Sequence, residues 1–216
     1  MPIGLDPGSR PGCLVLMSGG IESTVLLHWA IRQGESVTAL FLHYGQRPAT
    51  REYQAASAQC AELGLAPETL DISTAVQTFH TGQERQYHIP LPHRNLVALS
   101  LALSLAEKRT LDRVLTGITR EDGEHSASAS PAFLDAFQET ARTLGDVAVA
   151  APFRELSKAE VIGTGVRLGV DFAKTYSCLL GYPEPCGRCP QCRNRRTAFA
   201  RAGRAEPQFF LARPEG

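Results

Sequence analysis

The chain lacks a long hydrophobic run and an excess of charge of either sign. Its longest apolar stretch, over 96–106, is interrupted by serines and is shorter than the roughly 20 residues that span a bilayer. Lysine plus arginine number 22, and so do aspartate plus glutamate, which excludes a histone-like basic protein or an acidic tail protein. The first twelve residues are polar and contain no signal-peptide core, so we expect a cytoplasmic protein without a membrane anchor.

Two familiar phosphate-binding fingerprints are also missing. No G-x-x-x-x-G-K-S/T segment occurs, which excludes a Walker A loop. Gly163 and Gly165 lie inside a predicted helix, so they do not form a dinucleotide-binding turn after a strand. Lysine itself is scarce, since only Lys108, Lys158 and Lys174 occur among the 22 basic residues.

The sequence does contain a regular alternation of short apolar runs and helix-period segments. Its 216 residues, 43% of them hydrophobic, suit one domain with a sizeable core. Strands are predicted over 13–17, 37–43, 68–72, 113–116 and 147–151, and helices over 22–33, 48–63, 95–108 and 131–144 and from 157 onward. Residues 73–92 are predicted to form a long loop. The alternation predicts an α/β fold, with a parallel sheet and helices on both of its faces.

The loop after the first predicted strand has the composition of an anion-binding turn. It consists of Ser18, Gly19, Gly20, Ile21, Glu22 and Ser23, and a helix follows directly. Two glycines let the backbone approach an anion closely, and free N–H groups at a helix start point toward it. The sequence therefore predicts a phosphate or pyrophosphate site here, with a plain serine-capped turn as the alternative.

Four of the six cysteines form a cluster near the C-terminal end. Cys178, Cys186, Cys189 and Cys192 have the spacing C-x7-C-x2-C-x2-C. Four thiolates so closely spaced can close a tetrahedral shell around a structural Zn²⁺ ion, and an iron–sulfur cluster is the alternative. The composition changes near residue 175, so we expect an α/β domain over 1–174. A small zinc-binding element with a basic helix and tail is expected over 175–216. Cys13 and Cys60 are predicted to be core residues.

On these motifs the chain resembles the PP-loop ATP pyrophosphatases, whose signature S-G-G-x-D-S follows the first strand. A PP-loop combined with the four-cysteine cluster in a chain this short is similar to the 7-cyano-7-deazaguanine synthase family. Shorter segments agree with the family's Y-x-Q-R, R-N-L, T-G and K-x-E patterns, and with the stretch before its zinc site. They are 44–47, 94–96, 116–117, 158–160 and 174–178.

The chain departs from the family pattern at three places. Glu22 stands where the signature has Asp, and His93 stands where the family has Gly before R-N-L. The family's acceptor segment, S-G-Y-P-D-C-R, is replaced by the unrelated residues 121–130. With these departures we still expect the chain to use ATP. The alternative is a different acceptor, or a reaction that stops before the nitrile.

The resemblance implies an adenine-nucleotide α-hydrolase-like fold and a ligase that uses ATP with Mg²⁺. It implies adenylation of the carboxylate of 7-carboxy-7-deazaguanine, then attack by ammonia to give the amide and finally the nitrile preQ0. The implied nucleotide-binding residues are Ser18, Gly19, Gly20, Ile21, Glu22, Ser23, Tyr44, Gln46, Arg47 and Gly117. The implied catalytic cations are Arg94, Lys158 and Lys174. A homodimer is expected by the same resemblance.

Three alternatives stay open at this point. One is a related enzyme of an antiphage system, which joins the deazaguanine to a protein acceptor or stops at the amide. Another is a nucleotide-binding relative that has lost its activity. The third is an RNA-acting PP-loop protein, although zero net charge argues against a nucleic-acid partner. In that case Arg193, Arg195 and Arg196 would contact RNA, whereas a solvated helical face is the ordinary expectation for them.

Overall fold

The computed structural model describes residues 12–79 and 91–207, and within them five parallel strands form one sheet. The strands are β1 (Gly12–Leu16), β2 (Ser36–His43), β3 (Glu68–Asp71), β4 (Arg113–Leu115) and β5 (Ala148–Ala150). Their order in the sheet is β3-β2-β1-β4-β5, and every neighbouring pair is parallel. The predicted α/β fold with a parallel sheet is therefore confirmed.

Seven helices connect or follow these strands in the described part of the chain. They are α1 (Ile21–Arg32), α2 (Ala49–Glu62), α3 (Arg94–Lys108), α4 (Arg120–His125), α5 (Pro131–Leu144), α6 (Lys158–Leu168) and α7 (Pro190–Arg201). Single 3₁₀ turns occur at Gln77–Phe79, Ala127–Ala129 and Phe172–Lys174. The predicted loop over 73–92 lies partly outside the described residues. None of the helices just named is long and apolar enough to cross a membrane.

The core lies on both faces of the sheet. Cys13 and Val15 of β1 pack with α1, α2, α6 and α7, whereas Leu14 packs on the opposite face with α3 and α5. A strand buried on both sides has no polar alternation, which explains its continuous apolar sequence. Cys13 and Cys60 are both fully buried, as predicted.

A glycine allows α6 to pack closely against α1. A Cβ atom on Gly165 would lie 2.6 Å from Cγ2 of Val25 and 2.5 Å from Cζ of Phe172. Such distances are shorter than non-bonded carbon–carbon contacts, so a larger residue here would force Val25 and Phe172 to shift. Gly163 and Gly165 both belong to α6, which confirms that they are not a dinucleotide-binding turn.

The structure also contains one helix that the sequence analysis did not predict. No helix is predicted for residues 117–130, but α4 forms within them. Thr119 and Asp122 form a reciprocal capping box, in which Asp122 Oδ2 accepts from Thr119 N at 2.9 Å and from Thr119 Oγ1 at 2.7 Å. The helix is short and polar, so it lacks the apolar periodicity that identifies longer helices.

Candidate functional site

The predicted anion-binding turn lies at the carboxyl end of β1 and is held by its two serines. Ser18 N donates to Ser23 Oγ at 3.2 Å, and the two hydroxyl oxygens are 3.1 Å apart. Ser23 Oγ also donates to the Gly20 carbonyl at 3.3 Å. Gly20 is the N-cap residue of α1 and has no side chain to cap the helix. The buried residue Ile21 starts the helix, so the first N–H groups of α1 face this turn.

Two glycines set the shape of the turn and of the strand beside it. Gly19 has φ +74°, and a Cβ atom there would lie 2.4 Å from the Glu52 carbonyl oxygen of α2. Gly117 follows β4, where a Cβ atom would lie 3.0 Å from the carbonyl carbon of Glu22. A side chain at Gly19 would overlap the backbone of α2, and one at Gly117 would require the backbone of α1 to move by a few tenths of an ångström.

Lys158 and Glu22 form an ion pair beside the turn. Lys158 Nζ lies 2.7 Å from Glu22 Oε1, and the two side chains are 17% and 18% exposed. Burial alone would lower the pKa of Lys158, but the Glu22 carboxylate, with Asp122 and Glu121 further away, more than offsets it. The pKa of Lys158 is therefore raised, and its ammonium group stays charged at neutral and mildly alkaline pH.

A second cation, Arg94, contacts the residue that follows the carboxyl end of β2. Arg94, the first residue of α3, donates from Nη1 to the Tyr44 hydroxyl at 3.0 Å, and its Cζ lies 5.8 Å from the Tyr44 ring centre. Gln46, which is 4% exposed, accepts from Tyr44 N at 2.9 Å and donates to Glu52 Oε2 at 3.0 Å. Burial raises the pKa of Tyr44, so its hydroxyl stays protonated at neutral pH.

The residue before Arg94 adopts an unusual backbone conformation. His93 has φ 51° and ψ 40°, in the left-handed region, and it is the N-cap residue of α3. Glycine adopts this conformation without strain, whereas for a residue with a Cβ atom the steric strain costs about 1–2 kcal/mol. The glycine of the family pattern would adopt this conformation here without that strain.

Lys174 and Arg47, the other two basic residues predicted for the site, have contacts outside the turn. Lys174 pairs with Glu62 at the end of α2 and with Asp171, so its ammonium group is engaged outside the turn. Arg47 is exposed, and its carbonyl oxygen would lie 2.7 Å from a Cβ atom on Gly181 in the cysteine-rich segment. Their roles toward a nucleotide stay predictions.

Helix α4 reaches the site through a residue that the sequence analysis did not single out. Both carboxylate oxygens of Glu121 accept from the Lys158 backbone N–H, at 3.1 and 3.2 Å. Glu121 thereby ties the replaced segment to the first turn of α6. A capping box starts α6, since Ser157 Oγ accepts from Glu160 N and the Glu160 carboxylate accepts from Ser157 N.

The four clustered cysteines come together as the sequence predicted. The sulfur atoms of Cys178, Cys186, Cys189 and Cys192 all lie within 4.8 Å of one another, and all four residues are buried. Three backbone N–H groups donate to the cluster sulfurs, at 3.3 to 3.4 Å. Such bonds stabilise thiolates, so the donor set fits a metal ion that prefers sulfur ligands.

The cysteine-rich segment is joined to the turn by its backbone. Tyr176 N donates to the Gly19 carbonyl at 2.8 Å, and the Tyr176 hydroxyl donates to the Tyr182 carbonyl at 2.8 Å. No sequence signal marks Tyr176, because its contact uses a main-chain atom. The division into units over 1–174 and 175–216 stays a prediction.

The expectation of a solvated arginine face on α7 is wrong for Arg195. This side chain is fully buried, and its Nε lies 2.9 Å from Glu206 Oε2. Its Nη1 donates to Thr175 Oγ1 at 2.7 Å, and its Nη2 donates to the Phe172 carbonyl at 2.9 Å. Arg195 cannot contact RNA from this position, whereas Arg193 is exposed.

Comparison with known families and proteins gives a consistent result. The family model of the queuosine biosynthesis protein QueC matches residues 12–203. A 7-cyano-7-deazaguanine synthase of Chromohalobacter salexigens is 33% identical over 223 residues, covering 95% of this chain and 88% of the relative. A 7-cyano-7-deazaguanine synthase 1 of Sulfurisphaera tokodaii is 31% identical, covering 92% of this chain and 97% of the relative.

Solved structures with a similar fold have lower sequence identity. The U34-tRNA thiolase NcsA of Methanococcus maripaludis, solved with its 4Fe–4S cluster, has a TM-score of 0.59 and 13% identity, covering 93% of this chain and 70% of that one. The NMN synthetase of Francisella tularensis has a TM-score of 0.55 and 16% identity, covering 92% of this chain and 79% of that one. At these identities the likeness concerns the fold.

Proposed function

Since the chain belongs to the QueC family of 7-cyano-7-deazaguanine synthases, we propose that it is an ATP-dependent carbon–nitrogen ligase. Its substrates would be ATP, ammonia and 7-carboxy-7-deazaguanine, and its products preQ0, AMP and pyrophosphate. The observation that carries the proposal is the glycine turn at the start of α1, with the charged Lys158 beside it. Such a turn suits an anion, because its N–H groups and the helix dipole favour negative charge.

The proposed reaction begins with activation of a carboxylate, which is a poor electrophile. Transfer of AMP to it creates a mixed anhydride, and pyrophosphate leaves with growing negative charge. The N–H groups around Gly20 and the Lys158 ammonium group would stabilise that charge, as preorganised donors do in a site that excludes water. A Mg²⁺ ion bound with ATP would neutralise phosphate charge, and the Glu22 carboxylate could help to hold it.

Ammonia would then attack the activated carbonyl carbon, and AMP would leave to give the amide. A second ATP would activate the amide oxygen, and loss of AMP would yield the nitrile. Arg94, held by Tyr44 at 3.0 Å, would bind phosphate or carboxylate charge at the opposite side of the site. Lys174 would reach a substrate only after leaving its partners Glu62 and Asp171.

We also propose that the four cysteines hold a structural Zn²⁺ ion. A buried shell of four sulfur atoms is closed, and closed four-sulfur shells are typical of structural zinc. The ion would stabilise the segment whose Tyr176 N–H holds the Gly19 carbonyl. It would therefore support the turn without taking part in the reaction.

A second candidate concerns the acceptor. Helix α4 occupies residues that replace the family's acceptor segment, and its Glu121 binds the first turn of α6. A changed acceptor region suits an enzyme that stops at the amide, or one that joins the deazaguanine to an amine on a protein. In both cases the first step, carboxylate adenylation, is the same.

Mass spectrometry of the products distinguishes these possibilities. The protein is incubated with ATP, Mg²⁺, ammonium and 7-carboxy-7-deazaguanine, and the deazaguanine products are identified by mass. We expect the nitrile to accumulate together with AMP. Accumulation of the amide alone would favour the second candidate, and no acceptor-dependent AMP at all would contradict the proposed function.

A further inference from the structure

Glu52, in the first turn of α2, is a half-buried carboxylate without a role in the reaction as proposed above. Its Oε2 accepts from Gln46 Nε2 at 3.0 Å. The same Gln46 nitrogen donates to the Leu42 carbonyl at 3.1 Å, and Gln46 Oε1 accepts from Tyr44 N. Gln46 is thus anchored to the backbone after β2, and it holds the Glu52 carboxylate in one place.

Glu52 lies between the phosphate-binding turn and the Tyr44–Arg94 pair. On one side, its carbonyl oxygen would be 2.4 Å from a Cβ atom on Gly19, so the two backbones are in contact. On the other side, its carboxylate interacts electrostatically with Arg94 and Tyr44. The residue therefore lies between the turn and Arg94, to which the proposed function assigns phosphate or carboxylate charge.

The other carboxylates at this edge that the structure describes are already engaged. Glu22 is paired with Lys158 at 2.7 Å, and Asp122 accepts two hydrogen bonds from Thr119. Glu121 accepts from the Lys158 backbone N–H through both of its oxygens. In the part of the chain that the structure describes, the Glu52 carboxylate accepts one hydrogen bond, from Gln46 to Oε2, which leaves it able to accept a proton.

We propose that Glu52 is the general base that removes a proton from the attacking ammonia. This inference rests on the proposed function, because it concerns the amination step. The nitrogen lone pair forms the bond to the acyl carbon, and the Glu52 carboxylate takes an N–H proton. The carbon–oxygen bond to AMP then breaks, and its electron pair leaves with AMP. Glu52 returns the proton to solvent before the next turnover.

The charges around Glu52 are consistent with this role. Burial raises the pKa of Glu52, while the Gln46 hydrogen bond and the Arg94 charge lower it, and the net shift is upward. Tyr44 and Arg94 are the titratable or charged groups that interact with it across the site. A carboxylate with a raised pKa is a better base near neutral pH, since a general base works best when its pKa lies near the pH of the reaction.

The test separates adenylation from amination in the variant Glu52→Gln. Acceptor-dependent exchange of labelled pyrophosphate into ATP reports adenylation, and amide formation is measured by mass spectrometry at constant free ammonia. We expect exchange within about threefold of the unaltered protein and amide formation lowered by roughly 10²- to 10⁴-fold. Glu52→Asp keeps a carboxylate, and we expect it to form the amide at least tenfold faster than Glu52→Gln does. Glu139→Gln, on the exposed surface of α5, is the matched control.

The pH profile provides a further readout that a merely supporting residue would not change. Amide formation by the unaltered protein is expected to rise as the pH rises through the pKa of Glu52, and Glu52→Gln is expected to lack this dependence. Equal losses of exchange and amide formation, or no loss of either, would overturn the proposal. If the unaltered protein catalyses no acceptor-dependent exchange, the proposed function itself fails and the assignment of Glu52 fails with it.

Discussion

At the scale of single residues, Gly19 carries two independent constraints. Its φ of +74° lies in the left-handed region, and backbone atoms of Glu52 and Ala56 would lie 2.4 and 2.8 Å from a Cβ atom. Gly34 provides a comparison, because its φ is +86° and no atom lies within 4 Å of a Cβ atom there. The two glycines therefore separate backbone strain from steric overlap.

The substitution Gly34→Ala is expected to lower the free energy of unfolding by about 1 kcal/mol. Gly19→Ala is expected to lower it by more, about 2 kcal/mol or above, because overlap with α2 adds to the strain. Denaturant unfolding of both variants measures the difference. Equal losses would show that the contact with α2 does not constrain the turn.

Lys158 is the second residue on which the proposed site depends. Lys158→Met removes the ammonium group and leaves the partly buried Glu22 carboxylate without its 2.7 Å partner. We expect acceptor-dependent pyrophosphate exchange to fall by roughly 10²- to 10³-fold, the usual cost of losing one preorganised charge-stabilising group. Lys108→Met, at the exposed end of α3, serves as control and is expected to leave exchange unchanged. Full exchange in Lys158→Met would remove this residue from the site.

At the scale of elements, apolar periodicity and turn residues predicted most of the structure. The strands over 13–17 and 37–43 and the helix over 131–144 were identified because buried runs and capping residues mark them, such as Ser130, which accepts from Phe133 N. Helix α4 was missed because its stability comes from one capping box and its contact with α6. The contacts of Glu52 and Glu121 join distant parts of the chain, so no local pattern indicates them.

The ends of β2 and β3 carry a pH-dependent contact. The pKa of Asp71 is lowered from 3.8 to about 2, first by hydrogen bonds from Ser73 and then by His43, whose Nδ1 lies 3.0 Å away. A lowered pKa in the folded state means that this contribution to stability is present above pH 3.8 and is lost as the pH falls toward 2. The stability that this contact contributes therefore changes with pH only in the acid range.

Acid unfolding of Asp71→Asn tests this contact. The variant is expected to be less stable than the unaltered protein at pH 5, and the difference is expected to narrow as the pH falls from about 4 to about 2. Unfolding in urea at several pH values measures both curves. A difference that stays constant over this range would contradict the assignment.

At the scale of the whole molecule, the strand order brings the turn and the cysteine-rich segment together. The chain runs from β1 outward to β3 and then returns to β4 on the other side of β1. The carboxyl ends of β1 and β4 therefore border a topological switch point, where ligands bind in such sheets. The sequence predicted parallel strands, but the order depends on helix packing that local patterns do not encode. Tyr176 connects this site to the cysteine-rich segment, because its N–H donates to the Gly19 carbonyl and its side chain belongs to the same buried cluster as the four cysteines.

Loss of the proposed metal ion is expected to affect the whole molecule. Cys189→Ser is expected to purify without metal and to lower Tm by roughly 10 °C, since a structural site contributes directly to folding. It is also expected to weaken ATP binding, because Tyr176 N no longer holds the Gly19 carbonyl. Cys60→Ala, a buried cysteine outside the cluster, is expected to keep its metal. Metal analysis, thermal unfolding and calorimetric titration measure these effects. A metal-free Cys189→Ser with unchanged Tm and ATP affinity would contradict the role given to the cluster.

The fate of the γ-phosphate of ATP tests the central claim most directly. ATP labelled with ³²P at that position is incubated with the protein, Mg²⁺, ammonium and 7-carboxy-7-deazaguanine, and the labelled products are separated. Cleavage between the α- and β-phosphates predicts that all acceptor-dependent label appears in pyrophosphate, with AMP formed in equal amount. Label in orthophosphate together with ADP would contradict it.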